Sequence, residues 1–162
     1  MAAQTEYGYD IPKGLAGGKA DIIFGEDIRS KTVEAEDGAL QFGTAVAEGT
    51  KEGAVKSASG AASIAGVLLH SQNVEEDIHG KLVIRKGATV NVMKVGHVWG
   101  RLASTVKKAP AVNAKAYVVT GSDVATDIGT FTDTVAEGKT VEAGVFIGGA
   151  DLTAGIAVVA LN

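Results

Sequence analysis

At 162 residues, the chain is long enough for one domain with a substantial hydrophobic core. Its formal net charge is −4 and its basic residues are not clustered, which argues against a protein that holds nucleic acid through the phosphates. The absence of cysteine excludes disulfides and thiolate metal sites, and the apolar runs are too short to cross a bilayer. The 22 glycines punctuate short runs of valine, threonine and alanine, which predicts an all-β domain with many turns.

The composition divides the chain into two parts. Residues 1–30 mix tyrosine, proline and glycine without apolar periodicity, so they predict an extended N-terminal arm that contains one short strand over residues 19–24. Two interpretations of the arm stay open: a disordered terminus, or a strap that orders against a neighbouring subunit. Residues 31–162 carry strand signals at regular intervals and predict one β domain.

Short apolar segments that end at glycine turns set out the strands of the second part. The segment at residues 54–56 follows the one at 40–47 across a glycine turn, which predicts a hairpin. The run at residues 64–70 is continuously apolar, as expected for a central strand buried on both faces. Residues 71–80 are acidic and predict an exposed loop. The predicted strands cover residues 31–34, 40–47, 54–56, 64–70, 82–85, 114–120, 142–147 and 153–161.

The remaining chain is organised around residues 89–102, TVNVMKVGHVWGRL, which contain the only tryptophan. Alternating valines interrupted by Gly96 predict two strands joined by a tight turn. Gly66 and Gly144 each lie inside a predicted strand, a position that marks a bulge or a close approach of another backbone. The pattern as a whole predicts nine to eleven short strands in a compact curved β-sandwich or barrel with very little helix.

No catalytic constellation stands out in the sequence. His70, His79 and His97 lack the local spacing of a metal pair, and there is no nucleophile elbow, so we expect no metal, no cofactor and no enzymatic activity. Residues 92–95, VMKV, resemble the signature of biotin and lipoyl carrier domains, in which a lysine lies at the tip of a β-hairpin. That alternative requires Lys94 to lie on a protruding turn.

Five short segments occur in the order found in the head decoration proteins of tailed phages, also called capsid cement proteins. They are residues 43–46, 65–67, 87–92, 96–99 and 116–118. The chain resembles this family over about residues 40–160. The resemblance implies a non-enzymatic virion protein, made in the host cytoplasm, that binds the outer surface of the expanded capsid.

The same resemblance implies the partners. They are the major capsid protein and further copies of the chain itself, with a trimer favoured and a dimer possible. The net charge and the short apolar runs indicate neither nucleic acid nor membrane as a partner. Arm contacts are expected from Tyr7, Tyr9, Ile11 and Pro12, and Trp99 and Arg101 are expected at an oligomer or capsid interface, because such residues are favoured anchors. The alternatives are another virion β-module, such as a fibre base or tail component, and a glycan-binding surface module.

Overall fold

In the computed structural model, residues 14–71, 75–76 and 82–162 are described, and their regular secondary structure is almost entirely β-strand. Eleven strands and one 3₁₀ turn at Ala125–Asp127 occur in this part, which confirms the all-β prediction. The strands are β1 (Asp27–Val33), β2 (Ala45–Glu48), β3 (Ala54–Ser57), β4 (Gly66–Leu68), β5 (Glu75–Glu76), β6 (Leu82–Val83), β7 (Thr89–Arg101), β8 (Lys115–Val119), β9 (Phe131–Thr132), β10 (Thr140–Asp151) and β11 (Ile156–Leu161). In these residues, no helix has the length and apolar character to span a membrane.

The sheet is built around β7. Nine strands form one sheet in the order β1-β3-β2-β4-β7-β11-β10-β8-β9, and β1 also pairs with β7. This pairing closes β1, β3, β2, β4 and β7 into what we call the first ring. A bridge between Leu102, just after β7, and Phe131 in β9 joins the ends of β7, β11, β10, β8 and β9, the second ring. One long strand therefore belongs to both rings.

The prediction of a hairpin over residues 89–102 is wrong, because β7 is a single strand of 13 residues. Gly96 has a φ of +143°, a value that favours glycine but lies far from the +60° that hairpin turns use. Both halves also have partners that hold them in line: β1 and β4 pair with the first half, and β11 pairs with the second. The strand therefore continues through the glycine.

Each ring encloses its own hydrophobic core, and β4 and β7 contribute to both. Leu68 of β4 and Val92 of β7 point into the first core, whereas their neighbours Val67 and Met93 point into the second. All four side chains are at most 2% exposed. The predicted burial of residues 64–70 on both faces is thus confirmed at β4, because successive side chains of a strand point to opposite faces.

Other sequence predictions are confirmed or corrected locally. The β2–β3 hairpin forms, with Val46 paired with Ser57. The strand expected from residue 40 begins only at Ala45, because Gly43 has a φ of +78° and bends the chain before it. Glu75–Glu76 pairs with Leu82–Val83 where an exposed loop was expected.

Gly66 and Gly144 both permit close contacts between backbones, as predicted. A Cβ at Gly66 would overlap the carbonyl oxygen of Met93, and one at Gly144 would overlap that of Ala160. The register of β10 against β8 also shifts between Glu142 and Gly144, which is the expected bulge. Glycine at these two positions lets adjacent strands approach where any side chain would separate them.

Glu34 supports the turn of the β2–β3 hairpin, which gives stability a defined pH dependence. Its carboxylate accepts hydrogen bonds from the N–H and hydroxyl of Thr50, both 2.6 Å away, and from the N–H of Lys51. These bonds hold the pKa of Glu34 below its ordinary value of 4.5. The carboxylate therefore stabilises the fold fully above pH 4.5, and this contribution is lost as the pH falls through the lower folded-state pKa.

We expect Glu34→Gln to be less stable than the parent protein at pH 7, because the amide cannot accept all three bonds as a charged carboxylate does. The difference should shrink as the pH falls below 4.5. Urea unfolding at several pH values measures it, with Glu137→Gln as the control on an exposed carboxylate. A difference that is the same at all pH values would contradict the role of the Glu34 carboxylate.

Candidate functional site

Trp99 lies in the second half of β7 and is half-buried by its own chain. A Cβ built at Gly14 would overlap the Trp99 indole where its two rings are fused. A Cβ built at Gly149 would lie 2.9 Å from the outer edge of the same indole. The indole is therefore held between two stretches of backbone where only glycine fits. Trp99 therefore holds Gly14, the first described residue, against the strands of the second ring.

Residues 14–20 continue from this contact along β7. The N–H of Gly17 donates to the carbonyl of Trp99 at 2.8 Å, and the N–H of Trp99 donates to the carbonyl of Gly18 at 2.9 Å. The N–H of Ala20 donates to the carbonyl of His97 at 3.0 Å, and Lys19 forms an antiparallel bridge with Val98. The strand predicted over residues 19–24 is thus reduced to one bridge at its first residue.

Beyond this bridge the chain turns outward in residues 21–25, which we call the 21–25 loop. Ile22 is 87% exposed and Phe24 is 108% exposed, so both side chains stand clear of their own chain. Leu15 and Ile28, on either side, are also exposed. Large apolar side chains grouped on a surface mark contact sites for other macromolecules.

Charged contacts hold both ends of the 21–25 loop. Asp21 Oδ1 lies 2.7 Å from His97 Nδ1 on β7, an ion pair when the imidazole is protonated. Lys19 pairs with Glu26, and this hydrogen bond lowers the pKa of Glu26. The exposed apolar residues therefore project from a segment that contacts β7 at one end, through Asp21, and is held at the other by the Lys19–Glu26 pair.

The sequence predicts a strand over residues 19–24 in place of this loop, because the run DIIFG is apolar as in the end of a strand. The signal that could have identified it is Gly25 directly after three apolar residues, with acidic residues at positions 21 and 26. A run bounded by charge and glycine is typical of a turn. The backbone at Gly25 has a φ of +90°, which confirms the turn.

Arg101, two residues after Trp99 on β7, forms one wall of a cavity of about 400 Å³, the Arg101 pocket. Among the described residues, the rest of the lining is mainly apolar and consists of Leu40, Gln41, Phe42, Leu82 and Ile84. Arg101 Nε donates to the carbonyl of Phe42 at 2.8 Å, and partial burial lowers the pKa of the guanidinium. The group stays protonated at neutral pH, so a cation faces an apolar cavity.

A larger cavity, about 490 Å³, lies between the segments after β7 and β9 and includes Lys107, Lys108 and Lys139. Asp127 lies in its wall at 6% exposure. The carboxylate accepts bonds from the N–H of Ser104 at 3.1 Å and from its hydroxyl at 2.6 Å. These two bonds from Ser104 let Asp127 fix the segment that follows β7.

The described residues do not assemble the other sites considered from sequence. None of them form a cluster of three or more metal-binding side chains. His70 packs against Phe42 with ring centroids 4.9 Å apart, and His97 faces Asp21. Lys94 is exposed in the middle of β7 and not at a turn, so the carrier-domain geometry is not formed.

The predicted interface residues fall into two groups. Trp99 and Arg101 lie on β7, beside the 14–20 segment and the Arg101 pocket respectively. Tyr7, Tyr9, Ile11 and Pro12 lie outside the described residues. The structure adds the 21–25 loop, which contains none of the residues predicted from sequence.

Comparison with known proteins identifies a family and a similar fold. Residues 3–162 match the family described as "Structural cement protein (E217 gp24/Pam3 gp6)". A chain in the solved structure titled "The capsid of Myoviridae Phage XM1" has a similar fold, with a TM-score of 0.68 and 17% sequence identity, covering 100% of this chain and 98% of that one. No curated protein matches the sequence.

Proposed function

Because the chain belongs to the phage structural cement protein family, over residues 3–162, we propose that it binds the outer surface of the expanded capsid and crosslinks neighbouring major capsid subunits. Membership of the family gives it a structural role in the phage capsid. The outer surface, the crosslink and the absence of catalysis are the proposal. The observation that carries it is the family match over nearly the whole chain.

The charge of the chain supports the outer surface. The interior of a filled head presents the phosphates of packaged DNA, and an exposed position there favours a basic protein. This chain has a net charge of −4 and its lysines and arginines do not form a cluster in the sequence. An acidic protein fits the outer side of the shell better than the side that faces DNA.

The two fused rings support a crosslinking role. A protein that stabilises a shell must transmit force between subunits without deforming, and two closed rings that share β7 provide a rigid body. Each copy needs only weak contacts, because several contacts on one oligomer act at high effective concentration and together raise affinity by about 10²–10⁴. Binding to the assembled shell and not to its free subunits then stabilises the shell.

The arm and β7 supply the proposed contacts. Residues 14–20 fix the base of the arm beside Trp99. The 13 residues before them could reach about 40 Å if extended, enough to cross onto a neighbouring subunit. Tyr7, Tyr9, Ile11 and Pro12 would bind there by adding a strand to an exposed sheet edge. Trp99 and Arg101 would contact the capsid or a second copy near the base.

Pelleting with expanded empty heads of the phage that encodes the chain tests the proposal. We expect the protein to sediment with the heads, to saturate at a fixed ratio to the major capsid protein, and to raise the temperature at which the heads break. Unexpanded heads are the control and should bind less. Protein that stays in the supernatant at all concentrations would contradict the cement function.

A variant that lacks residues 1–13 tests the arm separately. Loss of one of several linked contacts should weaken binding to heads at least tenfold. Circular dichroism must first show that the shortened chain keeps its strands. Unchanged binding to heads would remove the arm from the proposal and leave the β domain as the binding unit.

A further inference from the structure

The 21–25 loop presents an apolar surface that its own chain does not cover. Phe24 and Ile22 are 108% and 87% exposed, although the loop is fixed by the Asp21–His97 and Lys19–Glu26 pairs. An aromatic side chain buries about 150–250 Å² when it is fully covered. A fixed loop that exposes a phenylalanine and an isoleucine is suited to insertion into a cavity.

The Arg101 pocket has the complementary properties. Leu40, Phe42 and Ile84 line it, each at most 7% exposed, and the cavity of about 400 Å³ is large enough for a phenylalanine ring. No carboxylate among the described residues pairs with the Arg101 guanidinium, whose contact there is the bond from Nε to the carbonyl of Phe42. The pocket would therefore accept an apolar group that brings a negative charge or an aromatic face.

The 21–25 loop carries both a negative charge and an aromatic side chain. Asp21 precedes the two exposed apolar residues, and its side chain is 53% exposed despite the contact with His97. A phenylalanine ring placed over a guanidinium adds a cation–π attraction. The loop and the pocket thus complement each other in charge as well as in polarity.

We propose that a second copy of this chain inserts its 21–25 loop into the Arg101 pocket, with Phe24 in the cavity and Asp21 directed toward the guanidinium. The partner is another copy because one chain carries both surfaces. Each copy has one loop to give and one pocket to fill, so two copies can exchange loops about a two-fold axis, and three or more can form a ring when the rotation between neighbours closes. This inference rests on the proposed function for its purpose, namely to build the oligomer that crosslinks subunits.

The mass of the free protein in solution gives the first test. We expect light scattering to show a multiple of 16.4 kDa, about three times that value for the favoured trimer. Phe24→Ser should reduce the mass to that of one chain. Val135→Ser is the matched control, because Val135 is 63% exposed and lies outside both surfaces, and it should leave the mass unchanged. A parent protein with the mass of a single chain would overturn the proposal, as would an oligomer that survives Phe24→Ser.

Disulfide crosslinking tests the pairing directly, because the native chain contains no cysteine. Ile22→Cys and Leu82→Cys place thiols on the loop, where Phe24 is kept, and on the exposed rim of the pocket. When the two variants are co-expressed and treated with oxidised glutathione, we expect a covalent dimer that neither variant forms alone. Co-expression of Val135→Cys with Leu82→Cys is the control and should give no dimer.

Three outcomes of the crosslinking would overturn the proposal. An Ile22→Cys dimer formed without Leu82→Cys would mean that two loops meet each other. A mixed dimer that forms only after residues 1–13 are deleted would mean that the arm occupies the pocket. No mixed dimer would mean that loop and pocket do not meet. Both tests use free protein, so their failure is separate from a failure to bind heads.

Discussion

Gly144→Ala is expected to lower the free energy of unfolding by about 3–5 kcal/mol. Gly144 has a φ of +155°, and its new methyl group would overlap the carbonyl oxygen of Ala160 on β11. That oxygen belongs to the backbone of a paired strand, so it cannot move without breaking the β10–β11 ladder. Urea denaturation followed by the fluorescence of the single tryptophan measures the loss.

Gly155→Ala is the matched control for this prediction. Gly155 also has a positive φ, +65°, but no atom lies within 4 Å of the position that its Cβ would take. The control therefore includes the backbone strain of about 1–2 kcal/mol and omits the overlap. Equal losses at the two positions would contradict the close approach of β10 and β11.

Phe131→Ala is expected to cost about 3–5 kcal/mol, because it leaves a cavity in the second core. Phe131 is fully buried, and its ring lies so close to β7 that a Cβ at Gly100 would come within 2.6 Å of it. Its backbone also accepts the N–H of Ala103 at 2.8 Å and forms the bridge to Leu102. The side chain thus fills the second ring where β9 meets the end of β7.

The same urea measurement tests the substitution, with Val135→Ala as the control. Val135 is 63% exposed, so its truncation should change stability by less than about 0.5 kcal/mol. The dependence of the unfolding free energy on urea concentration should be the same for both variants, if neither substitution changes the surface that unfolding exposes. A loss below 1 kcal/mol at Phe131 would show that the second ring does not depend on this side chain.

Local signals in the sequence predicted most of the strands. Apolar runs bounded by glycines located β2, β3, β4, β8, β10 and β11 to within a few residues, because their pattern comes from burial and their ends from turn chemistry. Gly66 and Gly144 were identified as places of close backbone approach for the same reason. These features depend on a few neighbouring residues and can be recognised without knowing what pairs with them.

Pairing across the chain was not predictable in this way. A glycine inside an alternating valine pattern suits either a turn or a continuous twisted strand, and only the partners of β7 decide between them. At Gly96 those partners are β1 and β4 on one side and β11 on the other, all distant in sequence. The ring closure through Leu102 and Phe131 likewise depends on contacts that no local pattern encodes.

The interface residues named from the sequence stay predictions. Trp99 and Arg101 were chosen by residue type, and the structure places them beside the 14–20 segment and the Arg101 pocket. The exposed loop was missed because an apolar run predicts burial in most proteins. Its exposure follows from Gly25 and the ion pairs at both ends, which turn the run outward before β1 begins.

The sharing of β7 between the two rings has a consequence for how the molecule opens. Detaching β7 from one core also removes it from the other, so the loss of this strand carries a penalty in both. The outer strands of each ring can separate at a lower cost, whereas the amide protons of β7 should be among the last in the chain to exchange with solvent.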